Sequence, residues 1–373
     1  MPREYTRRRN AMILRSIHGL RVMTIAVLGV GGCSNDRSVA PSTRDAVSTH
    51  ATPMTDPIVA AKQGPPMGGG GVALSILDLG AGDFSVAEAV NDKGQIVGSG
   101  GAGTGAFLWD NGAIRLLGAL PGMTSARAED INENGQVVGY SGIGSQYHAF
   151  IWTAAGGMQP LAGSLGGCCT LARAINDQGV VLGEATLAGG GAHAVVWENG
   201  IMRDIQSFAT GSTFPWDLSN SGIAVGQWNP STAGFVWTAG AGMTVLAGLD
   251  GEGDVPIGVN DLGQIVGWHK RTPSDINKAF LWDDGVITDL GTLGGASSVG
   301  TAINNAGQVV GRADLPRKGF RAFIWTAAGG MKDLGLSRDR HQAQALDINE
   351  TGWIVGTSWA KSGATRATLW KIE

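Results

Sequence analysis

The sequence predicts an all-β fold, a seven-bladed β-propeller with three-plus-one strand closure. Three observations predict it. Two short motifs alternate strictly, each occurring seven times. No stretch after residue 70 keeps a 3.6-residue apolar period for three turns, which leaves helices uncompetitive. The array also begins with the piece that its last copy lacks.

The first motif is IN-x-x-G-x-VVG. It occurs as VNDKGQIVG (90–98), INENGQVVG (131–139), INDQGVVLG (175–183), LSNSGIAVG (218–226), VNDLGQIVG (259–267), INNAGQVVG (303–311) and INETGWIVG (348–356). The second is a short apolar run ending in Trp, seen as AFLW (106–109), HAFIW (148–152), HAVVW (193–197), GFVW (234–237), AFLW (279–282), AFIW (322–325) and ATLW (367–370). The period runs from 41 residues (Asn91 to Asn132) to 45 (Asn304 to Asn349). Units of about 40–45 residues holding four strands are propeller blades.

Within a unit, a strand ends at Ala302-Ile303-Asn304, and Asn-Asn-Ala-Gly makes a tight turn with Gly307 at its positive-φ position. QVVG is the β-branched return strand and AFIW the third. TAAGG or WDDG supplies the next turn, and M-x-D-L-G the fourth strand. The C-terminal unit stops after its third strand, at Lys371-Ile372-Glu373, whereas Leu74–Gly80 matches the fourth-strand stretch ITDLG (287–291). A strand displaced in this way closes the ring and removes exposed sheet edges.

Together the HAFIW and INxxGxVVG halves, joined by M-x-D-L-G-x-L-G-G-x-x-S, resemble the bacterial HAF repeat of extracellular proteins. The likeness covers residues 73–370. The unit after Asp204 departs most, with LSNSG for INxxG and SFATGSTFP for the LGG linker. The resemblance implies an exported protein and carries over no catalytic residue.

Taken in order, residues 1–33 read as a lipoprotein signal segment. Arg3, Arg7, Arg8, Arg9, Arg15 and Arg21 form its basic region, and Val22–Val30 an apolar core too short to span a bilayer. Val30-Gly31-Gly32-Cys33 resembles a lipobox with Cys33 as the lipidated residue; an ordinary signal peptide with an incidental Cys is the other reading. Ser34 in place of Asp resembles lipoproteins sorted to the outer membrane, anchored by acyl chains. Residues 34–71 are rich in Ser, Pro and Gly and read as a flexible tether. Residues 72–373 form the propeller. The whole chain of 373 residues carries a net charge of −4, which argues against nucleic-acid binding. A monomer without cofactor or metal is expected. Calcium would need carboxylates spaced as in D-x-[DN]-x-[DN]-G, and the sequence holds no such stretch.

The seven repeat Trp residues read as packing between blades. Cys168 and Cys169 read as small, mostly buried thiols, with a strained adjacent-pair disulfide as the alternative. Asp78, Asp204, Asp289 and Asp333 read as solvated outer-strand residues. Asp92, Glu133, Asp177, Asp261 and Glu350 read as turn chemistry on an acidic face.

Departures from the repeat point to the opposite, basic face. There the expected ligand-binding residues are Tyr140, Trp228, Trp268, His269, Arg317, Lys318, Arg321, Trp359 and Arg366. Aromatic rings would stack on sugars while Arg and His contact carboxylate or phosphate groups. Two functions follow: a non-catalytic binding or scaffold module for an anionic glycan or an envelope protein, or a propeller enzyme acting on polysaccharide. The enzyme would need two carboxylates from Glu88, Glu129, Asp130, Asp217 and Asp347, or a lyase base from His148, His269 and His341. G-x-S-x-G, P-loop and H-E-x-x-H motifs do not occur.

Overall fold

The computed structural model describes residues 74–100, 105–208, 210–229, 233–246, 253–270, 276–317 and 319–372. The readings made for residues 1–33, for Cys33 and for residues 34–71 therefore lie outside the described residues. What is described is all β: seven four-stranded antiparallel sheets in a ring, a seven-bladed β-propeller. In each blade the strands follow chain order outward from the axis, except in blade 7, whose outermost strand is Leu74–Asp78. That strand pairs with Thr365–Ile372 in the register Leu74↔Ile372 to Asp78↔Thr368. The ring closes as the sequence predicts.

The innermost strands are Val86–Val90, Ser125–Ile131, Gly166–Ile175, Ser212–Leu218, Val255–Val259, Ser298–Ile303 and Arg340–Ile348. Each carries a one-residue bulge at the same repeat position, three residues before the motif Asn or its replacement, Ser219. The extra residues are Glu88, Glu129, Arg173, Trp216, Ile257, Thr301 and Leu346. A bulge bends its strand and sharpens the local twist.

The bulge explains the Gly of VVG. A Cβ on Gly139, Gly183, Gly267 or Gly311 would sit 2.0 Å from a carbonyl oxygen of the innermost strand. Only Gly admits so close a backbone. The Phe of AFxW lies directly opposite that Gly, as in Gly98↔Phe107 and Gly311↔Phe323, and is wholly buried over it. The repeat Trp residues pack between blades: six are at most 9% exposed, and Trp282 is half-buried. Outer-strand Arg115 and Arg203 stack on Trp152 and Trp237 of the following blade, at 4.8 and 5.5 Å.

Turn chemistry differs between the two hairpins of a blade. After the third strand, Asn111-Gly112, Asn199-Gly200 and Asp284-Gly285 all have positive φ at both positions, as a two-residue type I′ turn requires. The DLG stretch is an elbow. Asp78, Asp289 and Asp333 each accept the N–H of the Gly two residues on (2.7–2.9 Å), and Leu79, Leu290 and Leu334 are buried. Asp204 does the same for the N–H of Gln206. These aspartates are therefore loop caps, not simply solvated positions.

A second correction concerns the turn acids, which join blades. Each backbone N–H at this position donates to the side chain of the next blade's equivalent residue: Asp92 to Glu133, Glu133 to Asp177, Asp177 to Asn220, Asn220 to Asp261, Asp261 to Asn305, Asn305 to Glu350, and Glu350 to Asp92. The distances are 2.5–2.9 Å and the circuit is complete. A parallel circuit runs from each motif Asn to the next blade's backbone carbonyl. It is interrupted after blade 4, where Ser219 bonds within its own turn.

Two outcomes follow for stability. Deleting residues 74–80 removes the outer strand of blade 7 and should lower the melting temperature sharply; an unchanged transition in calorimetry would refute the closure. Burial raises the pKa of Glu133 and of Glu350, and neighbouring Asp92 with Asp177 or Asp261 adds to the rise. A raised folded-state pKa contributes stability below the ordinary value of 4.5 that is lost as pH climbs through the raised one. Glu133→Gln and Glu350→Gln keep the acceptor oxygen, so each should raise the melting temperature at pH 7. The gain should vanish as pH falls toward 4.5.

Candidate functional site

Side chains on successive strand residues point to opposite sides of a sheet, so residues expected on one basic face of the ring turn toward different neighbouring blades. Tyr140 and Trp268 lie opposite Arg127 and Val255 of their innermost strands, while Trp228 and His269 sit one residue further along the repeat. The two pairs therefore face opposite sides of their sheets. Most of these residues also have local partners. Tyr140 packs edge-on to Tyr147 at 5.5 Å. Trp228 stacks on Phe208 at 4.4 Å and gives its indole N–H to the carbonyl of Thr210. Trp268 carries the Lys270 ammonium 5.9 Å over its ring, and His269 is buried against Phe280. Arg366 is paired with Asp83 at 2.7 Å and Asp78 at 3.6 Å. Lys318 lies outside the described residues.

The remainder converge at the junction of blades 6 and 7. Trp359, on the second strand of blade 7 (Trp353–Ala360), meets Phe320 of blade 6 (Phe320–Thr326) edge-on at 5.4 Å. Arg321 donates across the junction to the carbonyl of His341 at 2.6 Å, and His341 Nδ1 lies 2.9 Å from the carbonyl of Trp359. Arg317 is exposed and forms no ion pair with a described residue.

Arg312, on the second strand of blade 6 (Val309–Asp314), completes this cluster and was not among the expected ligand residues. Its guanidinium lies 5.2 Å over the Phe320 ring. Burial pushes its pKa below the ordinary arginine value, and the attraction of Asp314 does not restore it. No described residue hydrogen-bonds or ion-pairs with its guanidinium, while its backbone is paired in the sheet. Other blades place Ser99, Tyr140, Glu184, Gln227, Trp268 and Thr357 at the same repeat position. That variability is the sequence signal that could have identified it.

The candidate carboxylates lie on or beside the axis-lining strands. Glu88 and Arg127 are hydrogen-bonded across blades 1 and 2. Arg127 Nε is 2.7 Å from Glu129, and Arg173 of blade 3 bridges Glu129 (3.7 Å) and Glu184 (2.8 Å). Arg173 also lies 6.0 Å over the ring of Trp216 in blade 4. The three glutamates are buried. Beside them the Tyr140 phenol is pushed up to about 12, chiefly by burial. Asp130, Asp217 and Asp347 accept the next residue's N–H with one oxygen and an N–H of the following blade with the other (Ile175, Val259 and Val90). They staple innermost strands together. Among the described residues, no group of three or more His, Cys, Asp or Glu is placed to hold a metal ion.

No protein-family model and no curated protein sequence matches the chain. Solved structures match its fold. Virginiamycin B lyase from Staphylococcus aureus aligns with a TM-score of 0.53 at 12% identity, over 79% of this chain and 98% of the lyase. A catalytically inactive variant of the same lyase with quinupristin gives 0.55 at 12%, over 81% and 99%. At this identity the likeness shows the fold alone.

Removing one partner of a buried ion network strands the others. Glu129→Ala should therefore cost about 3–5 kcal/mol, read as a lower urea midpoint. An unchanged midpoint would deny the Glu88–Arg127–Glu129–Arg173–Glu184 network any structural role.

Proposed function

We propose that this propeller is an exported, lipid-anchored binding module of the bacterial envelope, non-catalytic, taking an anionic glycan at the junction of blades 6 and 7. Arg312 is the observation that carries the reading. A half-buried guanidinium whose desolvation Asp314 only partly offsets is less stable as a charge than one in water. A ligand carboxylate or phosphate supplies the missing partner, and Arg is suited to bind it in two-pronged fashion. Phe320 and Trp359 offer apolar ring surface for a sugar, and exposed Arg317 adds attraction at the rim. Export and anchorage rest on the basic and apolar stretches before Cys33.

The hydrolase form of the polysaccharide-cleaving alternative loses support from the same geometry. Asp130, Asp217 and Asp347 have both oxygens committed to backbone N–H groups, and Glu129 and Glu184 are tied to arginines. Two carboxylates at a hydrolytic spacing are not free to flank a glycosidic bond.

Arg312→Met separates binding from folding. The substitution should raise the melting temperature of the free protein, because a half-buried charge that Asp314 only partly offsets is gone. It should also weaken binding of uronic-acid oligosaccharides roughly 10- to 100-fold in isothermal titration. Charge reversal of Arg317 should lower affinity in a salt-dependent way. Equal affinity of the Arg312→Met variant would refute the site. Release of reducing ends or unsaturated products by the wild-type protein would refute the non-catalytic reading.

A further inference from the structure

Cys168 and Cys169 open the innermost strand of blade 3, at a place where regular pairing fails. The register shifts between Gly166 and Thr170. In a regular strand two neighbouring side chains point to opposite faces, so adjacent sulfurs stay apart. Here the two Sγ atoms lie 2.8 Å from one another. Gly166, at φ 90°, precedes the pair and permits the distortion.

The two thiols differ in access. Cys168 is exposed and Cys169 is 5% exposed, which corrects the expectation that both are mostly buried. Cys169 is held on its backbone by one hydroxyl: its N–H donates to Thr186 Oγ1 at 3.0 Å, and that hydroxyl donates to the Cys169 carbonyl at 3.3 Å. Its thiol donates to the carbonyl of Ser145, also at 3.3 Å, in the neighbouring hairpin of blade 2. The buried sulfur is thereby anchored beside the exposed one.

We propose that Cys168 and Cys169 are a reversible oxidation site, closing to an adjacent-residue disulfide by exchange with a small disulfide such as oxidised glutathione. The exposed Cys168 thiolate attacks one sulfur of R–S–S–R, and one R–S⁻ leaves. Cys169, deprotonated to solvent, then attacks the Cys168 sulfur of the mixed disulfide and expels the second R–S⁻. The two released protons convert the leaving groups to R–SH. Both cysteines are oxidised and one small disulfide is reduced. Neighbouring Cα atoms stand about 3.8 Å apart, below the usual disulfide span of about 4.4–6.8 Å, and such strain makes the bond easier to reduce. The pair is therefore suited to cycling and not to permanent cross-linking.

The test equilibrates the purified full-length protein with a series of reduced-to-oxidised glutathione ratios, alkylates it, and digests it with trypsin. Residues 128–173 form a single tryptic peptide holding both cysteines and no third. The expected product is this peptide unalkylated and lighter by two hydrogen atoms, restored by excess reduced glutathione. In Cys169→Ser the resolving sulfur is gone, and a lasting glutathione adduct on Cys168 is expected; Cys169→Ala provides the same reading if the serine folds poorly. Alkylation of both wild-type thiols at every ratio would overturn the proposal. So would a wild-type protein that keeps the glutathione adduct.

Discussion

Seven innermost strands must fit around one axis, and the extra residue inserted in each of them governs much of the sequence. The bulge brings a carbonyl so close to the second strand that only Gly is tolerated there. That Gly leaves a gap in side-chain packing, which the Phe of the third strand covers in most blades. Three consensus features, the bulge, VVG and AFxW, are therefore one packing unit seen at successive strands. The bulge residue is one inner-strand position whose identity the packing unit leaves open. It is accordingly where Glu88, Glu129, Arg173 and Trp216 replace the apolar or small residues found at Ile257, Thr301 and Leu346.

Much of the architecture was legible because it repeats. Blade number, strand order and the displaced fourth strand can be read by comparing units, and the Gly turns follow from local chemistry. The links between blades could not be read in the same way. Asp92 and Glu133 are 41 residues apart, and a turn acid looks alike whether it caps its own loop or the next blade's. Asp130, Asp217 and Asp347 were similarly ambiguous. A carboxylate near the axis suggests chemistry until its two oxygens are seen to hold two strands.

The residues expected on one binding face turn toward different neighbouring blades. Sequence locates a residue along a strand, but a shift of one position moves its side chain to the other side of the sheet. Trp268 and His269 are neighbours in sequence and divide on this ground. The side chains that do meet, Trp359 with Phe320 and Phe320 with Arg312, come from two blades and three strands. Arg312 was difficult to single out because an arginine beside a strand ordinarily reads as solubility. Burial against an aromatic ring distinguishes it.

The pairing of Leu74 with Ile372 also bears on how the molecule is made. Ribosomes deliver the first of these residues long before the second, so six sheets can assemble while the seventh waits for its final partner. Until that partner emerges, the strand Leu74–Asp78 has nowhere to dock. The nascent polypeptide therefore keeps one unfinished seam through nearly all of its synthesis. Locking of the ring becomes a single late event, possible only once the strand Thr365–Ile372 has been made.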